Sequence, residues 1–169
     1  MNFFVAALPR SRTAWLSVFL SQGRPCLHDG FNGCESLSEY ADKLGENGDS
    51  STGLTMIDVN TYFPDSKVVI IDKNDTEFNK CVRWCDVTFK TNSRHELTRQ
   101  RQVLKKMKGL HVNQSDIDDR LEEIFTYLTG CEWDSSYTEL SKFNIQVDPY
   151  RVDYVAADKL ITEINNGFH

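Results

Sequence analysis

Apolar residues along this chain fall in short continuous runs separated by amphipathic stretches. The first run, residues 2–8, shows no polar alternation after Asn2 and reads as a strand covered on both faces. Lys67-Val68-Val69-Ile70-Ile71 reads the same way. Elsewhere the apolar positions recur at helical spacing. Trp15, Leu16, Phe19 and Leu20 predict a helix over 13–22, with Gly23 beyond its end. Ser36-Leu37-Ser38-Glu39 is a capping-box pattern that opens a helix to about Leu44. Phe78, Cys81, Val82 and Trp84 predict a helix over 76–85, and Leu97, Val103, Leu104 and Met107 predict a long basic one over 93–107. Ile117, Leu121, Ile124, Phe125 and Leu128 share one face of a helix that starts at Ser115 and stops at Gly130. Residues 25–29 are a candidate short strand, 45–53 a polar loop, 53–62 a helix or irregular crossover, and 136–142 a short helix. A strand over 144–147 and a helix over 154–165 complete the reading. Strands alternating with helices predict an α/β fold of three layers, with a mostly parallel sheet flanked by helices. No repeat or linker interrupts the 169 residues, so one domain, 1–169, is expected.

Composition narrows the function. A net charge of −6 argues against a general binder of nucleic acid or of membrane surfaces and leaves room for a local basic patch. The five cysteines, at 26, 34, 81, 85 and 131, are odd in number and irregularly spaced, with no CxxC pair. That is no disulfide framework and points to a reducing cytoplasm. Cys26, His28 and Cys34 lie close together but lack a fourth ligand at standard zinc spacing, so no metal is expected. The apolar stretch before Pro9 has no basic flank and is too short for a signal peptide. Nothing approaches the run of about 18 apolar residues that a membrane span needs. A cytoplasmic protein without membrane or nucleic-acid partners is expected.

The chemistry concentrates where the first strand meets the first helix, at Pro9-Arg10-Ser11-Arg12-Thr13-Ala14. Backbone N–H groups at a helix start lack intrahelical partners, and the helix dipole favours an anion there. Arg10 and Arg12 add charge, and the Ser11 and Thr13 hydroxyls add donors. The Gly-Lys-Ser/Thr ending of a nucleoside-triphosphate P-loop is absent.

Pro9-Arg10-Ser11-Arg12-Thr13-Ala14-Trp15-Leu16 resembles the 5′-phosphosulfate-binding loop of the sulfotransferases, Pro-Lys/Arg-Ser-Gly-Thr-Thr-Trp-Leu, in the form carried by small bacterial and phage-type members. Arg12 stands where that loop has glycine, which takes φ > 0 more readily, and Ala14 where it has a second threonine. The family's Arg-Asn-Pro-x-Asp-x-x-x-Ser segment, whose Arg and Ser hold the cofactor 3′-phosphate, is matched in register by Lys73, Asn74, Asp75, Glu77 and Cys81. Lys is a point charge where Arg is a bidentate fork, and Cys is a weak donor. Phe63-Pro64 also resembles the pair that precedes this strand in the family.

The resemblance implies a P-loop-like fold and 3′-phosphoadenosine 5′-phosphosulfate (PAPS, with product PAP) as the small-molecule nucleotide donor. It implies cofactor-binding roles for Pro9, Arg10, Ser11, Arg12, Thr13, Ala14, Lys73 and Cys81. Arg10 occupies the position of the family's catalytic Lys or Arg. The base is a Glu or His in the family, and His28 and Asp29 both occupy its zone. A carboxylate needs burial to act as a base, whereas imidazole titrates near neutrality unaided. The two remain alternatives or a working pair. Trp15 reads as core, and the Arg94–Lys108 run as a solvated helix face. Sulfuryl transfer to a hydroxyl or amine is the function expected. A non-catalytic binder of a phosphorylated small molecule is the alternative, ahead of a kinase-like phosphotransferase, for which no magnesium-holding acid stands out.

Overall fold

The computed structural model describes residues 1–57, 59–143 and 145. Five parallel strands form one sheet: β1 (Phe3–Ala7), β2 (Cys26–His28), β3 (Gly48–Ser51), β4 (Lys67–Asp72) and β5 (Leu110–Asn113), in the order β2-β3-β1-β4-β5. The intervening helices are α1 (Thr13–Leu20), α2 (Leu37–Leu44), α3 (Val59–Tyr62), α4 (Asp75–Phe89) and α5 (Arg94–Lys106), with α6 (Leu121–Thr129) after β5. This is the expected three-layer α/β arrangement, P-loop-like and wholly parallel.

β1 shows why the central strand reads as an unbroken apolar run. Phe3, Val5 and Ala7 face the layer of α1 and α6, in a core with Trp15, Phe19, Ile124 and Phe125. Phe4, Ala6 and Leu8 face the opposite layer, with Tyr40, Leu54, Phe78, Val82 and Leu104 from α2, the crossover, α4 and α5. All six are at most 1% exposed. Trp15 lies in the core, stacked on Phe19 with ring centroids 5.0 Å apart, and its indole N–H donates to the Leu140 carbonyl at 2.9 Å.

Two strands stand where none is expected. β3 lies in the stretch that reads as a polar loop, yet all four of its residues are buried. Gly48 lies against Phe3, whose ring a Cβ would meet at 2.1 Å. Asp49 and Ser50 are each hydrogen-bonded inside, so polarity does not exclude burial there. β5 is a four-residue edge strand on which only Val112 is fully buried, too short a pattern to register. The 53–62 crossover resolves into a 3-10 turn at Gly53–Thr55 and the single turn of α3. The 136–142 helix is a 3-10 helix over Ser135–Lys142. The expected strand at 144–147, Ile145 apart, and the helix at 154–165 lie outside the described residues. Among the described residues no helix is long and apolar enough to cross a membrane.

The topology singles out one crevice. From β1 the chain runs to β2 on one side of the sheet, and from β4 to β5 on the other. The carboxyl ends of adjacent β1 and β4 therefore flank a topological switch point, where open α/β sheets take ligands. A surface depression of about 630 Å³, lined by Met1, Asn2, Tyr62 and Phe63–Ser66, lies at the opposite, amino-terminal end of the sheet. The Phe63-Pro64 pair belongs to that end.

Candidate anion-binding site

The β1–α1 loop crosses this crevice in a costly backbone conformation. Arg10 and Arg12 both adopt left-handed geometry, with φ 64° and 62°. Left-handed geometry costs a residue with a Cβ about 1–2 kcal/mol. Arg12, in the glycine position of the resembled loop, is the N-cap of α1 and makes no side-chain cap. The first turn of α1 carries no acidic residue. By contrast Ser36 caps α2 through Glu39 N–H, and Asn74 with Glu77 forms a reciprocal capping box on α4. The start of α1 is thus equipped for an external anion in a way the starts of α2 and α4 are not.

The loop's interior is tightly held. The buried Ser11 hydroxyl donates to Leu8 O at 2.7 Å, closing the turn. Thr13 is buried, and its carbonyl accepts from Ser50 Oγ of β3 at 2.8 Å. Pro9 and Ala14 are partly buried. The Arg10 side chain is exposed, with its guanidinium 5.5 Å from the centroid of the Trp84 ring. The Arg12 guanidinium lies 4.2 Å from the Trp15 centroid and pairs with Asp118 at 2.7 Å.

The second segment meets the first. Lys73, 6% exposed, donates from Nζ to Arg10 O at 3.1 Å and to Gln114 Oε1. Burial pushes its ammonium down to about 8, opposed by nearby Cys81 and Glu77 and reinforced by the Arg10 charge. Cys81 is buried, and its thiol donates to Pro9 O at 3.2 Å. Its hydrogen bond with Cys85, then Lys73 and Arg10, favour its thiolate, while burial opposes them; the same pairing and burial push Cys85 up. Arg101 of α5 donates to Lys73 O at 2.7 Å and pairs with Asp75 at 2.9 Å. Asn74 and Glu77, the other matches of that segment, are occupied in capping α4.

His28 ends β2 and Asp29 follows it, on the far side of β3 from the loop. His28 Nδ1 lies 2.9 Å from Ser50 O, which can only accept, so Nδ1 carries a proton. Nε2 is 3.4 Å from Asp29 Oδ2. Ser50 thereby joins the two halves of the site, with its hydroxyl on Thr13 and its carbonyl on His28.

Four residues that matter here gave no signal in the sequence. Asp49 of β3 is fully buried, with Oδ2 accepting from Tyr40 O–H at 2.7 Å and Oδ1 from Gly30 N–H at 3.1 Å. Burial raises its carboxyl to about 6, against those two hydrogen bonds; Asp29 raises it further and His28 lowers it. Asp49, Ser50 and Gln114 lie on or just after the two unforeseen strands, and Arg101 on a face that reads as merely solvated. Among the described residues no group of His, Cys, Asp and Glu is arranged to hold a metal ion. No family model, curated protein or solved structure matches this chain.

Proposed function

We propose that this protein binds a 5′-phosphosulfate nucleotide of the PAPS type at the β1–α1 loop and transfers its sulfuryl group to a hydroxyl or amine. One observation carries the reading: the uncapped first turn of α1, entered through two left-handed arginines, opens at the switch point of a parallel sheet. The donor set there fits a tetrahedral oxyanion.

The bound nucleotide supplies the sulfuryl group and a phosphate leaving group. Arg10, exposed at the loop, offers its guanidinium to the negative charge that grows on that phosphate as the sulfur–oxygen bond breaks. His28 Nε2 accepts the proton released by the acceptor as the new bond to sulfur forms. Ser50 O on Nδ1 orients the ring, and the Asp29 carboxylate 3.4 Å from Nε2 stabilises the imidazolium that results. A second reading, binding without catalysis, draws support from Arg12 and Lys73, whose charges are engaged by Asp118 and by Arg10 O and Gln114.

Calorimetric titration with PAP, with AMP and ATP as controls, tests the proposal. Binding to PAP that Arg10→Ala weakens at least about tenfold, a charged hydrogen bond's worth, is expected. No binding, or binding indifferent to Arg10→Ala, refutes it. Turnover that needs His28 or Asp29 separates the enzyme from the binder.

A further inference from the structure

We infer that Lys73 and Cys81 are positioning residues that hold two consecutive peptide planes of the β1–α1 loop, so that the Arg10 and Ser11 N–H groups form one anion nest. This rests on the reading that the loop binds an anion, and it changes what the pair does there. Lys73 and Cys81 act on the loop's backbone and leave the nucleotide's second phosphate to other groups.

The argument starts from peptide geometry. In a planar trans peptide the C=O and the following N–H point in opposite directions. Cys81 Sγ holds Pro9 O at 3.2 Å, and Lys73 Nζ holds Arg10 O at 3.1 Å. Both donors come from the β4–α4 side of the crevice, so the Arg10 and Ser11 N–H groups are turned together away from it. Successive N–H groups turned to one side make an anion-binding concavity. The positive φ of Arg10 between these planes is compatible with such a concavity.

Lys73 is itself pinned. It is 6% exposed, its ammonium is shared with Gln114 Oε1, and its carbonyl is held by Arg101 at 2.7 Å. Arg101 in turn lies 4.8 Å from the centroid of the Phe78 ring and pairs with Asp75. Two of the three Lys73 N–H donors are committed to Arg10 O and Gln114 Oε1, which fixes the carbonyl before any ligand arrives. Removing the clamp therefore weakens every ligand held by the nest, whether or not that ligand carries a 3′-phosphate.

Lys73→Met and Gln114→Met, each titrated with AMP and with PAP, decide the matter. The clamp predicts that Lys73→Met weakens both nucleotides by the same factor, about tenfold or more, and that Gln114→Met weakens both by a smaller equal factor. Loss of PAP alone in Lys73→Met, with AMP unchanged, overturns it. So does a selective gain of PAP in Gln114→Met, as expected if release from Gln114 lets the ammonium reach a phosphate. Gln114 is only partly buried, so that variant remains informative if Lys73→Met fails to fold. If the wild-type protein binds neither nucleotide, the proposed function falls and the clamp is judged alone, from the Ser11 amide resonance of the nucleotide-free protein. That N–H shares its peptide with the Arg10 carbonyl. Its resonance shifts in both variants if the clamp exists and stays put in both if it does not.

Discussion

Replacing Asp49 by Asn should remove a pH-dependent penalty that burial of this carboxylate imposes on the fold. The side chain is 0% exposed and receives two hydrogen bonds, from Tyr40 and Gly30. Even so, burial raises the carboxyl from 3.8 to about 6. Between those values the native state keeps a proton that the unfolded chain has released, so stability falls as pH rises through the window. Below it both states are protonated and the penalty vanishes; above it both are ionised and the penalty is complete. A displacement of about two pH units is worth about 3 kcal/mol. Urea denaturation followed by tryptophan fluorescence, on wild type and Asp49→Asn at pH 4, 5, 6 and 7.5, isolates the effect. His28 and Asp29 stand beside Asp49, so the difference between the two proteins reports the group better than either curve alone. The variant should gain about 2.5 kcal/mol of that penalty relative to wild type between pH 4 and 7.5, the rest falling below pH 4, whatever the offset from its altered hydrogen bonding. A difference that is flat over that range refutes the reasoning and means that Asp49 folds into a site as polar as water.

Two further substitutions probe the frame of the site. Arg12→Gly removes about 1–2 kcal/mol of left-handed strain. It loses a cation–π contact worth about 0.5–1 kcal/mol, a mostly exposed ion pair worth little, and unfolded-state entropy. Stability measured by urea melts should therefore move by less than about 1 kcal/mol, and a loss above about 2 kcal/mol would show that the Arg12 contacts hold the fold. Gly109→Ala puts a Cβ 2.3 Å from Val68 O, backbone of the adjoining strand β4. A destabilisation of about 3 kcal/mol is expected, at the upper end of overpacking costs, and hydrogen exchange should show it concentrated in β5; wild-type stability would exclude the observed β4–β5 approach.

What the sequence showed and hid follows from how burial is achieved. β1 and β4 are covered on both faces by apolar side chains, so hydrophobicity marks them. β3 is covered as completely, but by hydrogen bonding. Asp49 is satisfied by Tyr40 and Gly30 and Ser50 by the Thr13 carbonyl, and no periodicity records such partners. With β3 unread, the bridge from Thr13 through Ser50 to His28 was invisible, although His28, Asp29 and the loop were each in view. Gln114 was hidden behind β5, a short edge strand on which only Val112 is fully buried.

The two halves of the sulfotransferase resemblance carry different weight once the backbone is known. Asn74 and Glu77, three residues apart, are what a capping box requires, and α4 uses them as one. Any helix begun after a strand can acquire that spacing, so this part of the match says little about a nucleotide. Arg10 and Arg12 are a different case. Lys90 also has a positive φ, 51°, but it ends α4, where left-handed geometry satisfies the last carbonyls. At the start of α1 the fold has no such need of arginine, and glycine would make the same turn with less strain. Arg10 is exposed with its guanidinium 5.5 Å from the Trp84 ring centroid, and Arg12 rests on Trp15 with an exposed carboxylate as its counterion. Backbone strain of this kind collects at functional sites, where the surrounding structure sustains it. Here the surroundings sustain it visibly, through Cys81, Lys73, Ser11 and Ser50, each bonded to the loop's own carbonyls or to those at its borders. Ser11 closes the turn at Leu8, whose peptide with Pro9 has no N–H, whereas three side chains spent on the Pro9, Arg10 and Thr13 carbonyls make sense when the Arg10, Ser11 and Ala14 N–H groups behind them have a ligand to meet.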